Sequence, residues 1–183
     1  MNRGFYIILA AQFFSALADN ALLFAAIALL KELSAPDWHT PLLQEFFVIS
    51  YILLAPFVGP FADSMPKGRV MFVSNAVKLV GCIAMFLGMP PLYAYVIVGL
   101  GAAAYSPAKY GILTEYLPPS QLVKANSWME GATVAAIVLG AIVGGLLISP
   151  KLIGPLLHDW GITQWISVPQ LAILVIVLLY VAA

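Results

Sequence analysis

The sequence predicts an all-α membrane protein whose six transmembrane helices form a single bundle over residues 1–183. The first observation is compositional. Of the 183 residues 63% are apolar and only 9% are charged, with a mean hydropathy of +1.01, a profile that ordinary water-soluble domains do not reach. The second is spatial: the apolar residues fall into six runs, each near the roughly 20 residues needed to cross the hydrocarbon core, separated by short polar or proline-containing breaks.

Taken in order, the predicted helices lie near residues 5–30, 46–62, 70–87, 92–113, 129–148 and 165–183. The start of the first mimics a secretory leader, with Arg3, an apolar stretch and the small-x-small triplet Ala16-Leu17-Ala18. The apolar run continues through Leu30 past that point, which fits an uncleaved span better than a removed signal. Connections between the later runs are short except for residues 149–164, which carry Pro150, Pro155, His158 and Asp159 and form the longest outer connection.

Lys and Arg positions set the expected orientation through their bias toward cytoplasmic loops. With the N-terminus in the cytoplasm, Arg3, Lys67, Arg69 and Lys124 lie at inner ends and only Lys31 and Lys151 at outer ones. His39 and His158 then occupy outer loops as solvated residues, and no metal ligand set is expected. Trp128, Trp160 and Trp165 fall near predicted helix ends, as an interfacial aromatic belt requires.

Charge balance and cysteine usage exclude other classes. Eight Lys plus Arg offset eight Asp plus Glu, so no nucleic-acid partner is indicated. The single cysteine, Cys82, excludes a disulfide framework within the chain. No nucleophile–base pair, metal cluster or Gly-rich phosphate loop is present, so neither an enzyme nor a cofactor is expected.

Ionisable groups inside apolar runs are where function is expected, because a charge at the bilayer centre costs roughly 2.5–3.5 kcal/mol even on the lenient insertion scale. Asp19 lies near the middle of the first run, and Gln12, Ser15 and Asp19 share one helical face by their spacing. Ser74, Asn75 and Lys78 cluster in the third run. Tyr105 and Lys109 stack one turn apart in the fourth, beside Pro107, which removes an amide donor and can kink the helix. Asn126, Glu130 and Thr133 repeat the pattern in the fifth. Two roles fit these groups: Asp19, Lys78, Lys109 and Glu130 pair to tie the bundle together, with Lys109 also able to snorkel, or they line a polar cavity. An ion pair that opens in one state serves both.

Small residues form a second layer. Gly99, Gly101 and the run Ala102–Ala103–Ala104 make the fourth helix slim, and Gly140 and Gly144 form a GxxxG pair in the fifth, the pattern by which helices approach closely in lipid.

At Gly59-Pro60-Phe61-Ala62-Asp63-Ser64-Met65-Pro66-Lys67-Gly68-Arg69 the chain resembles the cytoplasmic signature of the major facilitator superfamily. The matching positions are Gly59, Asp63, Lys67 and Arg69; Ser64, Pro66 and Gly68 depart from the pattern. Gly131, Gly140, Gly144 and Gly145 partly match a second signature associated with exporters. The segments from Ala18-Asp19-Asn20 to Phe24, from Ala102 through Tyr105-Ser106-Pro107-Ala108-Lys109 to Gly111, and Leu122-Val123-Lys124-Ala125-Asn126 are similar to the bacterial lysophospholipid transporters, over residues 5–148.

That resemblance implies the N-terminal half of a major facilitator superfamily fold, in which two six-helix halves, each of inverted three-helix repeats, enclose a site near the midplane. It implies inward transport of lysophospholipid, chiefly lysophosphatidylethanolamine, for reacylation by a partner acyltransferase and acyl-carrier-protein synthetase, with membrane lipid around the bundle and a C-terminal six-helix half completing it. The first and fourth helices, repeat equivalents, carry Asp19 and Lys109. Asp19 is then expected to meet the substrate ammonium and Lys109 its phosphate, with Asn20, Asn75, Lys78, Tyr105 and Glu130 as further binding residues and Gly59, Asp63, Lys67 and Arg69 as a conformational latch. Two alternatives remain: a small-solute or drug exporter of the same superfamily, and an inactive half-length fragment.

Overall fold

A computed structural model describes residues 3–159, 161 and 165–183. Among these, seven helices follow one another: α1 (Arg3–Glu32), α2 (His39–Asp63), α3 (Lys67–Phe86), α4 (Pro91–Tyr116), α5 (Pro119–Leu147), α6 (Pro150–Asp159) and α7 (Val168–Ala182). The first five are long and apolar enough to cross a membrane; α7 is a shorter apolar helix of 15 residues. Trp160 and Ile162–Gln164 lie outside the described residues.

Helix α2 begins seven residues before the expected run and α5 ten residues before it. Hydropathy locates only the part of a helix that lipid would contact, whereas backbone hydrogen bonding continues through polar turns such as residues 119–128. His39 consequently opens α2, where its ring meets Trp38 edge-on at 4.2 Å, instead of lying in a loop. The connection between α5 and α7 also contains a helix, α6, that no apolar run announced.

Local chemistry sets the ends. Proline stands in the first turn of α4, α5 and α7, where its missing N–H would be unbonded anyway. Ser167 and Gln170 make a reciprocal capping box at the start of α7. Helix α3 ends in a Schellman turn: Gly88 adopts φ 101°, its N–H reaches Met85 O, and Met89 N–H reaches Ala84 O. The same pattern closes α1 with Ser34 at φ 52° and bonds from Ser34 and Ala35 to Lys31 O and Leu30 O.

Helix α1 packs mainly against α5 and α7, α4 against α2 and α3, and α7 bridges α1 and α3. Around the bundle the order is therefore α5, α1, α7, α3, α4, α2. Backbones come close where side chains are small. A Cβ built on Gly140 would stand 2.7 Å from Leu17 O, and one on Gly144 2.9 Å from Ala21 O, so the GxxxG pair is what lets α5 lie against α1. A Cβ on Gly101 would meet Ser74 O at 2.6 Å, and one on Gly99 the Ser50 hydroxyl at 2.8 Å; these two glycines seat α4 between α3 and α2. Gly145 and Gly131 have nothing within 4 Å of their Cβ positions, so they take no part in this packing. The main core joins Ala18, Ala21 and Ala25 of α1 to Cys82, Val98, Ile173 and Ile176.

Candidate functional site

Between α1, α2, α4 and α5 lies a cavity of about 460 Å³. Its walls mix apolar residues, among them Leu23, Phe47, Val48 and Ile137, with Gln12, Asp19, Asn20, Tyr51, Lys78, Tyr105 and Lys109. Two polar clusters border it.

Asp19 centres the first. Lys78 Nζ of α3 donates to Asp19 Oδ2 at 2.6 Å and to Ser15 Oγ at 2.9 Å. The Tyr180 hydroxyl of α7 donates to Asp19 Oδ1 at 2.7 Å. Ser15 in turn donates to Asn75 Oδ1, and Asn75 Nδ2 donates to the Tyr180 carbonyl at 2.8 Å. The Lys78 ammonium also lies 4.7 Å from the centre of the Tyr105 ring, a cation–π distance. The Lys78 side chain is 2% exposed and that of Asp19 19%. The lysine is thus enclosed by partners, while the carboxylate keeps an edge on the cavity. This explains how α3 carries a cation through apolar surroundings: every donor direction of the ammonium meets an acceptor or a ring face.

Lys109 centres the second. It donates to Thr133 Oγ1 at 2.8 Å and lies 3.5 Å from Glu130 Oε1. Gln12 Nε2 donates to the same threonine oxygen at 3.1 Å, and the threonine hydroxyl donates to Met129 O one turn back. Glu130 accepts a stronger bond from Tyr110 at 2.7 Å and is 53% exposed, against 9% for Lys109. Lys109 is therefore held chiefly by Thr133, and the long contact to Glu130 is a loose one.

Of the seven binding residues expected from the sequence, Asp19, Asn20, Lys78, Tyr105 and Lys109 line this cavity together. Asn75 supports it from behind, in a second space lined by Met71 and Tyr180, and Glu130, half-exposed, reaches Lys109 and Tyr110 of α4 without lining the cavity. Asn126 is exposed and away from the cavity. The four charges pair as Asp19 with Lys78, between α1 and α3, and Lys109 with Glu130, between α4 and α5, instead of between α1 and α4. Sequence reasoning missed Tyr180. The available signal was a lone hydroxyl in the apolar α7, since a buried tyrosine hydroxyl needs a partner. It also missed Tyr51 and Gln44 on the α2 wall.

The α2–α3 connection is arranged locally. Lys67 pairs with Asp63 one turn back and donates to Ala62 O at 2.8 Å, while its stem runs over Gly111 of α4, whose Cβ would meet Lys67 Cε at 2.9 Å. Arg69 is exposed, and Gly59 has nothing within 4 Å of its Cβ position.

Residues 8–183 match the model of the Major Facilitator Superfamily. Over 147 residues, 80% of this chain, the sequence is 58% identical to the lysophospholipid transporter LplT of Yersinia enterocolitica serotype O:8 / biotype 1B. It is 56% identical over the same length to those of Yersinia pestis (strain Pestoides F) and Yersinia pseudotuberculosis serotype I (strain IP32953). The matched part is 36% of each relative, so the chain spans little more than a third of the length of the curated relatives it matches. A helical architecture consistent with the N-terminal half of that fold and a family match over nearly the whole chain give one conclusion: this multi-pass membrane protein belongs to the Major Facilitator Superfamily.

Proposed function

We propose that the chain forms the N-terminal part of a transporter that moves lysophospholipid, chiefly lysophosphatidylethanolamine, inward across the bacterial inner membrane. The observation that carries this reading is the cavity in which Asp19 and Lys109, a partly open carboxylate and an ammonium on two different helices, share a wall with apolar side chains. A zwitterionic head with one acyl chain needs that combination. Its ammonium seeks a carboxylate and its phosphate an ammonium, each contact offsetting part of the cost of leaving water, while the chain stays on apolar surface. The names and identities of the Yersinia relatives support the substrate class.

In this reading Lys109 receives the phosphate, and Asn20 and Tyr105 border the head group. Asp19 has both oxygens engaged, by Lys78 and by Tyr180. A substrate ammonium therefore competes with Lys78 for the carboxylate, which links occupancy to a shift of α3 against α1. Asn75 and Glu130 act from outside the cavity, orienting Tyr180 and Lys109. Asp63, Lys67, Arg69 and Gly59 form the latch at the α2–α3 connection on the cytoplasmic side, where the N-terminus also lies. A second six-helix half completes the site, and an acyltransferase with an acyl-carrier-protein synthetase consumes the delivered lysolipid.

The test is uptake of labelled lysophosphatidylethanolamine by spheroplasts lacking their own transporter, with this chain alone and joined to a C-terminal half from a relative. Uptake with the joined form, lost in Asp19→Ala at normal membrane insertion, is expected. Absence of uptake in both forms despite confirmed insertion would overturn the assignment.

A further inference from the structure

On the other side of the α1–α5 contact runs a second groove, of about 730 Å³, and no side chain lines both it and the polar cavity. Its walls are apolar, built from Leu9 and Phe13 of α1 and Gly131 and Ala135 of α5. Tyr6, Lys124 and Trp128 stand at the end where both helices begin. We infer that this groove is a binding site for one anionic diacyl phospholipid of the adjacent leaflet, its phosphate at Lys124 and an acyl chain along α1 and α5.

Three observations point to that occupant. Lys124 has no ion pair or hydrogen-bond acceptor among the described residues and is exposed, so its charge is free for an anion. Its level is right: α5 has 29 residues, about 43 Å at 1.5 Å per residue, longer than the ~30 Å hydrocarbon core. The first turns, with Lys124 and Trp128, therefore stand at head-group depth, where Tyr6 and Trp128, 55% and 53% exposed, present the amphipathic rings that suit this level. From Lys124 to Ala135 the groove covers eleven residues, roughly 16 Å, of which the part below Trp128, about 10 Å, lies against the upper part of an acyl chain. Gly131 keeps it open, since nothing lies within 4 Å of its Cβ position. A free cation above an apolar slot matches an anionic head group joined to an acyl chain, which uses both features.

The test reads Trp128 fluorescence in vesicles, in the full chain with Trp38, Trp160 and Trp165 replaced by Phe. Phosphatidylcholine vesicles contain equal mole fractions of brominated phosphatidylglycerol or brominated phosphatidylcholine. The expected result is a relative binding constant about fivefold higher for the glycerol lipid, the order expected for one basic residue near an anionic surface. Lys124→Gln should bring the ratio to about one while leaving chain-dependent quenching in place, and Gly131→Leu should weaken quenching by both lipids. Native mass spectrometry of the unsubstituted chain, expected to retain one phosphatidylglycerol, keeps the question open to decision should the triple variant fold poorly. Equal quenching by the two lipids in the parent would overturn the inference. So would absence of quenching, which would mean a protein surface covers the groove, or displacement of the brominated lipid by lysophosphatidylethanolamine, which would make the groove part of the transport path. None of these readouts depends on uptake, so the transport reading can fail without it.

Discussion

The Tyr180 hydroxyl donates to Asp19 Oδ1 at 2.7 Å, joining residues 161 positions apart on α7 and α1. The opposite carboxylate oxygen receives Lys78. One acid thus fastens three helices, and the same acid borders the cavity.

Tyr180→Phe keeps the ring, which is fully enclosed, and deletes only this bond. Hydrogen bonds to charged groups contribute about 1.5–3 kcal/mol, so the variant should unfold at lower temperature in detergent by that equivalent. Because Asp19 then depends on Lys78 alone, lysolipid uptake by the joined transporter should fall as well. An unchanged melting temperature would show that the bond is not formed in the membrane protein.

Lys78→Met leaves Asp19 without its cation, and breaking a buried pair by removing one partner costs about 3–5 kcal/mol. Asp19→Asn combined with Lys78→Met removes both charges and should recover most of that loss without recovering uptake. A double variant no more stable than Lys78→Met, compared by thermal unfolding, would argue against the pair as drawn.

Gly140→Leu should separate α5 from α1, because its side chain would have to pass the Leu17 carbonyl. Gly145→Ala is the matched control, having open space around its Cβ position. Size-exclusion profiles after heating are expected to show aggregation for the first and a parent-like peak for the second.

Thr133→Val removes the strongest acceptor of Lys109 and leaves the 3.5 Å contact with Glu130 and the face of the Tyr110 ring at 4.8 Å. Uptake should drop several-fold, with the apparent affinity for lysolipid changing more than the maximal rate, as expected for a residue that orients a binding group. Lys67→Ala should behave differently. Its pair with the exposed Asp63 is worth no more than ~1 kcal/mol, so stability should hold while the rate of transport changes if the connection acts as a latch.

Much of this molecule was legible in the sequence. Apolar run length determines which segments can span lipid, because an unbonded backbone cannot stay in hydrocarbon and a helix of about 20 apolar residues bonds its own backbone across that thickness. The cost of a charge in that medium singles out Asp19, Lys78 and Lys109, and small residues at Gly101, Gly140 and Gly144 announce close helix contacts. What tertiary structure decided was partnership. Spacing places Asp19 on a helix face but cannot say which neighbour that face meets, and only the packing of α7 between α1 and α3 brings Tyr180 to it. Likewise α6 and the polar first turns of α5 left no hydropathy signal, because their helical hydrogen bonds do not need an apolar surface. Which residues line the cavity, and that Asn75 and Glu130 stand outside it, follows from how helices rotate to bury their small-residue seams. That rotation depends on all the helices at once, and no single stretch of sequence contains it.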